Sequence, residues 1–189
     1  MRAENVIAVI VLVGAATWAF ARSLDAQQHA EIELGTSLGV QWLSAPGANT
    51  VTTVGIPGNG IQATPTLYLT AIVSRSLFLE PQISWMRVST ANGAAESLGF
   101  VARVGWLFRR TARESPYVAG DVAYDRQQSP SSFGATIRDA GFAWGGAVGY
   151  RIHVGRGLAL RFEGHYRRWG GDFAPVREMG LGVGVGGVP

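Results

Sequence analysis

Three histidines, His29, His153 and His165, and no cysteine make up the chain's stock of soft nucleophilic and metal-binding side chains. Without cysteine there is no thiolate nucleophile, no disulfide, no Cys-ligated zinc and no lipidated cysteine. No two histidines have a metal-ligand spacing such as His-x-x-x-His. His165 stands two residues from both Glu163 and Arg167, which offers an acid/base pair with Glu163 or, alternatively, a purely structural hydrogen-bond network. No serine or other nucleophile accompanies it in a local pattern, and this favours the network. The string Gly182-Val-Gly-Val-Gly-Gly187 fits a G-x-G-x-x-G phosphate loop only through glycine abundance, since two residues follow it and no helix can hold the phosphate. The sequence therefore assigns no catalytic, cofactor-binding or metal residue.

The charged residues are few and evenly mixed. Of 189 residues, 15% are charged and 47% hydrophobic, against about a quarter charged in an ordinary soluble domain. All 16 basic residues are arginine, and 13 acids leave a net charge of +3, too small and scattered for a nucleic-acid partner.

The first segment reads as an address. Met1 and Arg2 precede the apolar run Val6 to Ala16, and Ala19-Phe20-Ala21 places small residues two apart. This is the layout of a secretory signal peptide over residues 1–21, with an alternative cut after Ala26. The stretch Val6 to Phe20 is shorter than the roughly 20 residues of a membrane-spanning helix, which argues against an anchor. Residues 22–189 then form the mature domain.

That domain alternates with period two, strand after strand. Ala30, Ile32, Leu34, Thr36, Leu38, Val40 and Trp42 oppose Glu31, Glu33, Gly35, Ser37, Gly39 and Gln41. Leu67, Leu69, Ala71 and Val73 oppose Thr66, Tyr68, Thr70 and Ser74, before a turn at Arg75-Ser76. Leu77, Leu79, Pro81, Ile83 and Trp85 oppose Glu80, Gln82 and Ser84. Leu98 to Phe108 sets Trp106 and Phe108 on the apolar side against Arg103 and Arg109. Val118 to Asp125 sets Tyr124 against Asp121 and Asp125, and Phe142 to Ile152 sets Trp144 and Tyr150 against Arg151. Leu158 to Arg167 sets Phe162 and Tyr166 against Arg161, Glu163, His165 and Arg167, and Glu178 to Val185 sets Met179 and Leu181 against Glu178. The count is eight strands.

The segments between them are Ser44 to Thr64, Ser89 to Ala95, Arg110 to Ser115, Arg126 to Asp139, His153 to Gly157 and Gly170 to Pro175. Two long connections at one end and tight or basic ones at the other fit an outer-membrane barrel, with short periplasmic turns and longer external loops. The polar face carries Glu31, Glu33, Glu80, Asp121, Asp125, Glu163 and Glu178 together with Arg103, Arg109, Arg151, Arg161 and Arg167, signs that can pair inside a narrow bore. The many glycines of that face suit the confined interior of eight strands. With strands running alternately up and down, Trp42, Trp85, Tyr124, Phe142, Trp144 and Tyr166 gather near one end and Trp106, Phe108 and Tyr150 near the other. These are two aromatic belts, as at bilayer interfaces.

The runs Phe78-Leu-Glu-Pro-Gln-Ile-Ser-Trp85, Ser115-Pro-Tyr-Val-Ala-Gly-Asp-Val-Ala-Tyr124 and Gly145-Gly-Ala-Val-Gly-Tyr-Arg-Ile152, the last leading to Leu158-Ala-Leu-Arg-Phe-Glu-Gly-His-Tyr166, resemble the small eight-stranded outer-membrane barrels of the OmpA, OmpX and opacity-protein group. The resemblance covers essentially the whole mature chain and implies fold and location more firmly than activity. One departure is the ending Val185-Gly-Gly-Val-Pro189, where such barrels commonly carry a terminal aromatic residue read by the assembly machinery.

The expectation is thus an all-β, closed, antiparallel, eight-stranded up-and-down transmembrane barrel in a bacterial outer membrane, preceded by a cleavable signal peptide. Its lumen would be plugged by Arg and carboxylate side chains. Its partners would be outer-membrane lipid, lipopolysaccharide and the barrel-assembly machinery, with no cofactor. By parity Arg87, Arg126 and Arg168 fall on the lipid side just beyond the upper aromatic belt, where lipopolysaccharide phosphates would lie, and Arg offers forked donors suited to phosphate. The expected role is non-enzymatic, in envelope integrity or surface interaction through loops 44–64 and 126–139. A small pore or gated transporter, a lipid-modifying enzyme and a soluble lipocalin-like barrel are the alternatives.

Overall fold

A computed structural model describes residues 31–45, 51–55, 66–90, 93–108, 114–130, 136–154, 157–173 and 175–187. The expected signal peptide lies outside the described residues, as do Arg109 and the side chain of Glu31. Among the described residues nine strands are present: β1 (Glu31–Ser44), β2 (Val51–Gly55), β3 (Thr66–Ile72), β4 (Leu77–Thr90), β5 (Gly93–Leu107), β6 (Glu114–Pro130), β7 (Thr136–His153), β8 (Leu158–Trp169) and β9 (Arg177–Gly187). A 3-10 turn, η1 (Gly171–Phe173), precedes β9.

Strands β3 to β9 follow one another as antiparallel neighbours, and β1 sits between β3 and β9, so that eight staves close into a barrel. Closure runs from Leu34 opposite Gly187 to Ser44 opposite Arg177. The end of the barrel at which β1 finishes is called the upper end. The ninth strand is a correction to the sequence expectation. Residues 39–43 of β1 pair with β9 on one edge and with β2 on the other. Within the expected loop 44–64, Val51–Gly55 therefore returns along the upper part of β1.

Two other expected loops are largely ladder. β6 and β7 stay paired from Arg126 opposite Ala140 to Pro130 opposite Thr136, which leaves only residues 131–135 between them instead of 126–139. Likewise β4 and β5 pair as far as Thr90 opposite Gly93. Polar residues end the alternation there, but each strand still satisfies its partner's backbone groups, so the hairpins continue beyond the alternating segment.

The polarity of the barrel is inverted relative to a soluble one. Leu34, Leu38, Val104, Val118, Val122, Trp144, Val148, Leu181 and Val183 are exposed on the outer wall, and Glu33, Glu80, Arg103, Asp121, Arg151, Arg161, Arg167 and Glu178 are buried within. An aqueous surface would not stabilise such a wall, whereas lipid does. Between Tyr68 and Ala71 the β3–β4 ladder is interrupted opposite Glu80 and Pro81, and Pro81 has no N–H to contribute.

Candidate functional site: the lumen and the outer rim

Cross-strand register builds the lumen. Glu80, Arg103, Asp121, Gly145, Arg167 and Glu178 are successive partners across β4 to β9, so acid and base alternate around the wall with one glycine between. Arg103 uses its planar fork on three carboxylates: Nη1 donates to Glu80 Oε1 at 3.2 Å and Glu163 Oε2 at 2.6 Å, and Nη2 donates to Asp121 Oδ2 at 3.0 Å. Arg167 binds Asp121 through Nε at 3.2 Å and Nη2 at 3.1 Å and reaches Glu178 at 3.3 Å.

Two contacts cross the bore. Arg161 on β8 pairs with Glu80 on β4, on the opposite side of the barrel, and Arg103 on β5 reaches Glu163 on β8. Arg161 also lies over the Tyr68 ring, 4.0 Å from its centroid. Thr70 and Gln82 donate to Glu80, each at 2.6 Å, and Tyr117 donates to Glu163 at 2.5 Å. Nearer the lower end, Arg151 Nη2 sits 2.5 Å from Glu33 Oε2, and Tyr68 donates to Glu33 Oε1 at 3.0 Å.

Apolar layers lie above and below this network. Val101, Ala123, Ala143 and Trp169 are successive register partners and meet Phe173 of η1 at the upper end. Ile72, Phe78, Leu107 and Tyr117 form the lower layer. The turn carrying Phe173 is strapped to β7: Ala140 N donates to Asp172 Oδ2 at 2.9 Å and Gly170 N to Phe142 O at 2.8 Å. Gly171 opens that turn at φ 74°, a region that favours glycine.

Glycines leave room for the large side chains. A Cβ on Gly180 would strike the His165 ring, one on Gly186 the Glu33 carboxylate, one on Gly105 the Phe78 ring and one on Gly149 the Tyr117 ring. Glycine on the inner face of β9 is thus a packing requirement of the residues facing it.

His165 does not pair with Glu163. Its Nε2 lies 2.9 Å from Glu178 Oε1, while Glu163 is taken by Arg103 and Tyr117. Glu178 is the diagonal neighbour of His165 on β9, a separation that a long side chain spans. Glu178 also accepts from Trp169 Nε1 at 2.6 Å. Among the described residues no nucleophile is hydrogen-bonded to His165, and no group of three His, Asp or Glu residues could hold a metal ion. Sequence reasoning missed the inward Trp169, Tyr117 and Phe78, although each extends the parity of polar neighbours: Trp169 follows Arg167, Tyr117 precedes Asp121 by four, and Phe78 precedes Glu80.

On the outside, Trp85, Trp144, Tyr166, Trp106, Phe108 and Tyr150 are exposed, and Trp42 and Tyr124 are half-buried on the same wall. Arg87, Arg126 and Arg168 are exposed on that wall too. Arg168 faces Trp144 on β7 and Arg177 on β9, a second outward arginine that is not among the sequence-predicted contacts.

The family model for the outer membrane protein beta-barrel domain matches residues 6–187. Similar solved structures include Neisserial surface protein A, with TM-score 0.62 at 12% identity over 85% of this chain and 99% of that one. The attachment invasion locus protein Ail of Yersinia pestis aligns with TM-score 0.57 at 12% identity over 85% and 97%. The N-terminal barrel of Pseudomonas aeruginosa OprF aligns with TM-score 0.53 at 12% identity over 84% and 99%. At these identities the likeness is one of fold. No curated protein matches the chain by sequence.

Proposed function

The chain belongs to the outer membrane protein beta-barrel domain family, and from that premise we propose that it is a non-conducting, non-enzymatic outer-membrane barrel whose work is done on its outer surface. The observation that carries this reading is the filled bore: two ion pairs cross the lumen, and an apolar layer lies on either side of them. Among the described residues, this packing fills the bore, and the histidine in it, His165, is paired with the Glu178 carboxylate and not with a serine. Function then falls to the outer wall and the upper hairpins β4–β5 and β6–β7, in envelope integrity or surface interaction. The extended hairpins support the upper end as the external one.

On the outer wall, Arg87, Arg126 and Arg168 contact lipopolysaccharide phosphates, for which their exposure and the neighbouring aromatic residues are the support. Ail of Yersinia pestis was crystallised with the heparin analogue sucrose octasulfate. A polyanionic surface ligand of that kind would find donors here in Arg126 and Arg138 on one hairpin. Export would use the signal peptide of residues 1–21, and insertion the barrel-assembly machinery.

Conductance and lipid dependence test the two halves of this proposal. Refolded protein in planar bilayers gives no conductance steps, and steady steps of defined size would replace this reading with that of a pore. The variant in which Arg87, Arg126 and Arg168 are all glutamine loses more stability in lipopolysaccharide bilayers than in neutral lipid. An equal loss in both removes the phosphate contact.

A further inference from the structure

Arg168 and Arg177 face each other directly across β8 and β9, both exposed on the outer wall. Like charges in that position repel, and an anion held between the two guanidinium groups would turn the repulsion into attraction. Among the described residues no protein group supplies it: neither guanidinium has an ion-pair partner there, and the carboxylate beside Arg177, that of Glu178, is turned into the lumen towards Arg167. The next residues along the same register row are Trp144 and Ser44, neither of them acidic.

A groove on the outer wall centres on the same two strands and reaches their neighbours β7 and β1. Descending from the arginines, the outward residues are Tyr166 and Met179, then Gly164 beside Leu181, then Phe162 and Val183. Gly164 has no side chain to fill the wall, and it lies in a shallow, open apolar groove whose outward lining includes Val40, Val148, Tyr150, Phe162 and Leu181. A Cβ at Gly164 would meet only Leu181 Cδ2, at 3.4 Å, and Gly180 O, at 3.9 Å, so backbone crowding does not require the glycine. Four residues separate Arg168 from Gly164, about 13 Å along a strand. Half the hydrocarbon core of a bilayer is about 15 Å. The paired cations therefore stand above the groove by less than the depth of one leaflet's hydrocarbon.

We propose that Arg168, Arg177 and the Gly164 groove form a discrete site for one lipopolysaccharide molecule, with a lipid A phosphate held between the two guanidinium groups and one acyl chain laid in the groove. Two adjacent forks match the oxygens of one phosphate, and the apolar lining matches a chain rather than a sugar. The site rests on the proposed lipopolysaccharide contact and sharpens it from dispersed contacts to one position with defined stoichiometry.

The full chain, refolded in detergent micelles, is titrated with lipid A and with its dephosphorylated form, and retained lipid is counted by native mass spectrometry. Lipid A binds one per chain, and removing its phosphates lowers affinity about tenfold or more, as does the R168Q/R177Q pair. G164L, which fills the groove, lowers affinity for both lipids while the boiling-dependent gel shift shows an intact barrel. R75Q, in the turn between β3 and β4 at the lower end, leaves the one-to-one complex in place. Unchanged binding in R168Q/R177Q, with binding lost in R87Q/R126Q, would falsify the site and leave the broader contact standing. Unchanged binding in every variant would remove both, and indifference to G164L alone would remove the groove.

Discussion

Arg161 on β8 and Glu80 on β4 form an ion pair across the width of the barrel although 81 positions separate them in the chain. Glu80 is shared with Arg103, its direct register partner, so one carboxylate links a wall neighbour to the opposite wall. A bore joined in this way is a packed interior, whose small diameter is filled by side chains.

Arg103 is the residue whose loss costs most. Arg103→Ala leaves Glu80, Asp121 and Glu163 each short of a partner inside the barrel. Breaking a buried pair from one side costs about 3–5 kcal/mol. The urea midpoint of the refolded protein falls accordingly, and an unchanged midpoint would show that water replaces the guanidinium at little cost.

Two glycines test the interlock. Gly180→Ala drives a methyl group into the His165 ring, and overpacking of that kind costs about 1–3 kcal/mol. Gly120→Ala points outward, with its nearest neighbour, Gly145 O, at 4.0 Å, and is neutral or slightly stabilising. Equal thermal shifts for the two variants would mean that glycine serves the strands generally and not the side chains opposite.

The outer wall is tested by charge. Val148 is 62% exposed and lies between Trp144 and Tyr150 on β7. Val148→Arg costs about 2–4 kcal/mol in a bilayer if that position is at mid-depth. The cost shrinks in detergent, where the guanidinium reaches water. No difference between the two media would place Val148 outside the hydrocarbon.

Phe173 closes the upper layer, and Phe173→Ala removes its edge-on contact with Trp169, whose ring centroid is 5.8 Å away. The loss is about 3 kcal/mol. Planar-bilayer recordings nevertheless remain silent, because the two cross-lumen ion pairs lie beneath. Conductance steps in this variant would identify η1 as the real seal.

Much of the barrel is legible in the sequence because strand parity is a local property. Leu34, Leu38, Val104 and Val148 alternate with Glu33, Arg103 and Ala147 whatever their neighbours do, and that alone assigns one face of each strand. The strand ends are not legible. Gln127, Gln128 and Asp139 look like loop residues, yet the ladder carries on through them because pairing satisfies backbone groups irrespective of side-chain polarity. Val51–Gly55 looks like loop for a related reason: five residues gain strand character only from the free edge of β1.

The sequence by itself determined the alternation, the number of barrel staves and which residues share a face, since period two depends on nothing beyond the order of residues. Tertiary structure decided the partners. Register set Glu178 rather than Glu163 against His165, curvature brought Arg161 to Glu80, and the pairing of β8 with β9 put Arg177 beside Arg168. Those distances depend on how eight strands are staggered around one axis, and no single strand carries that information.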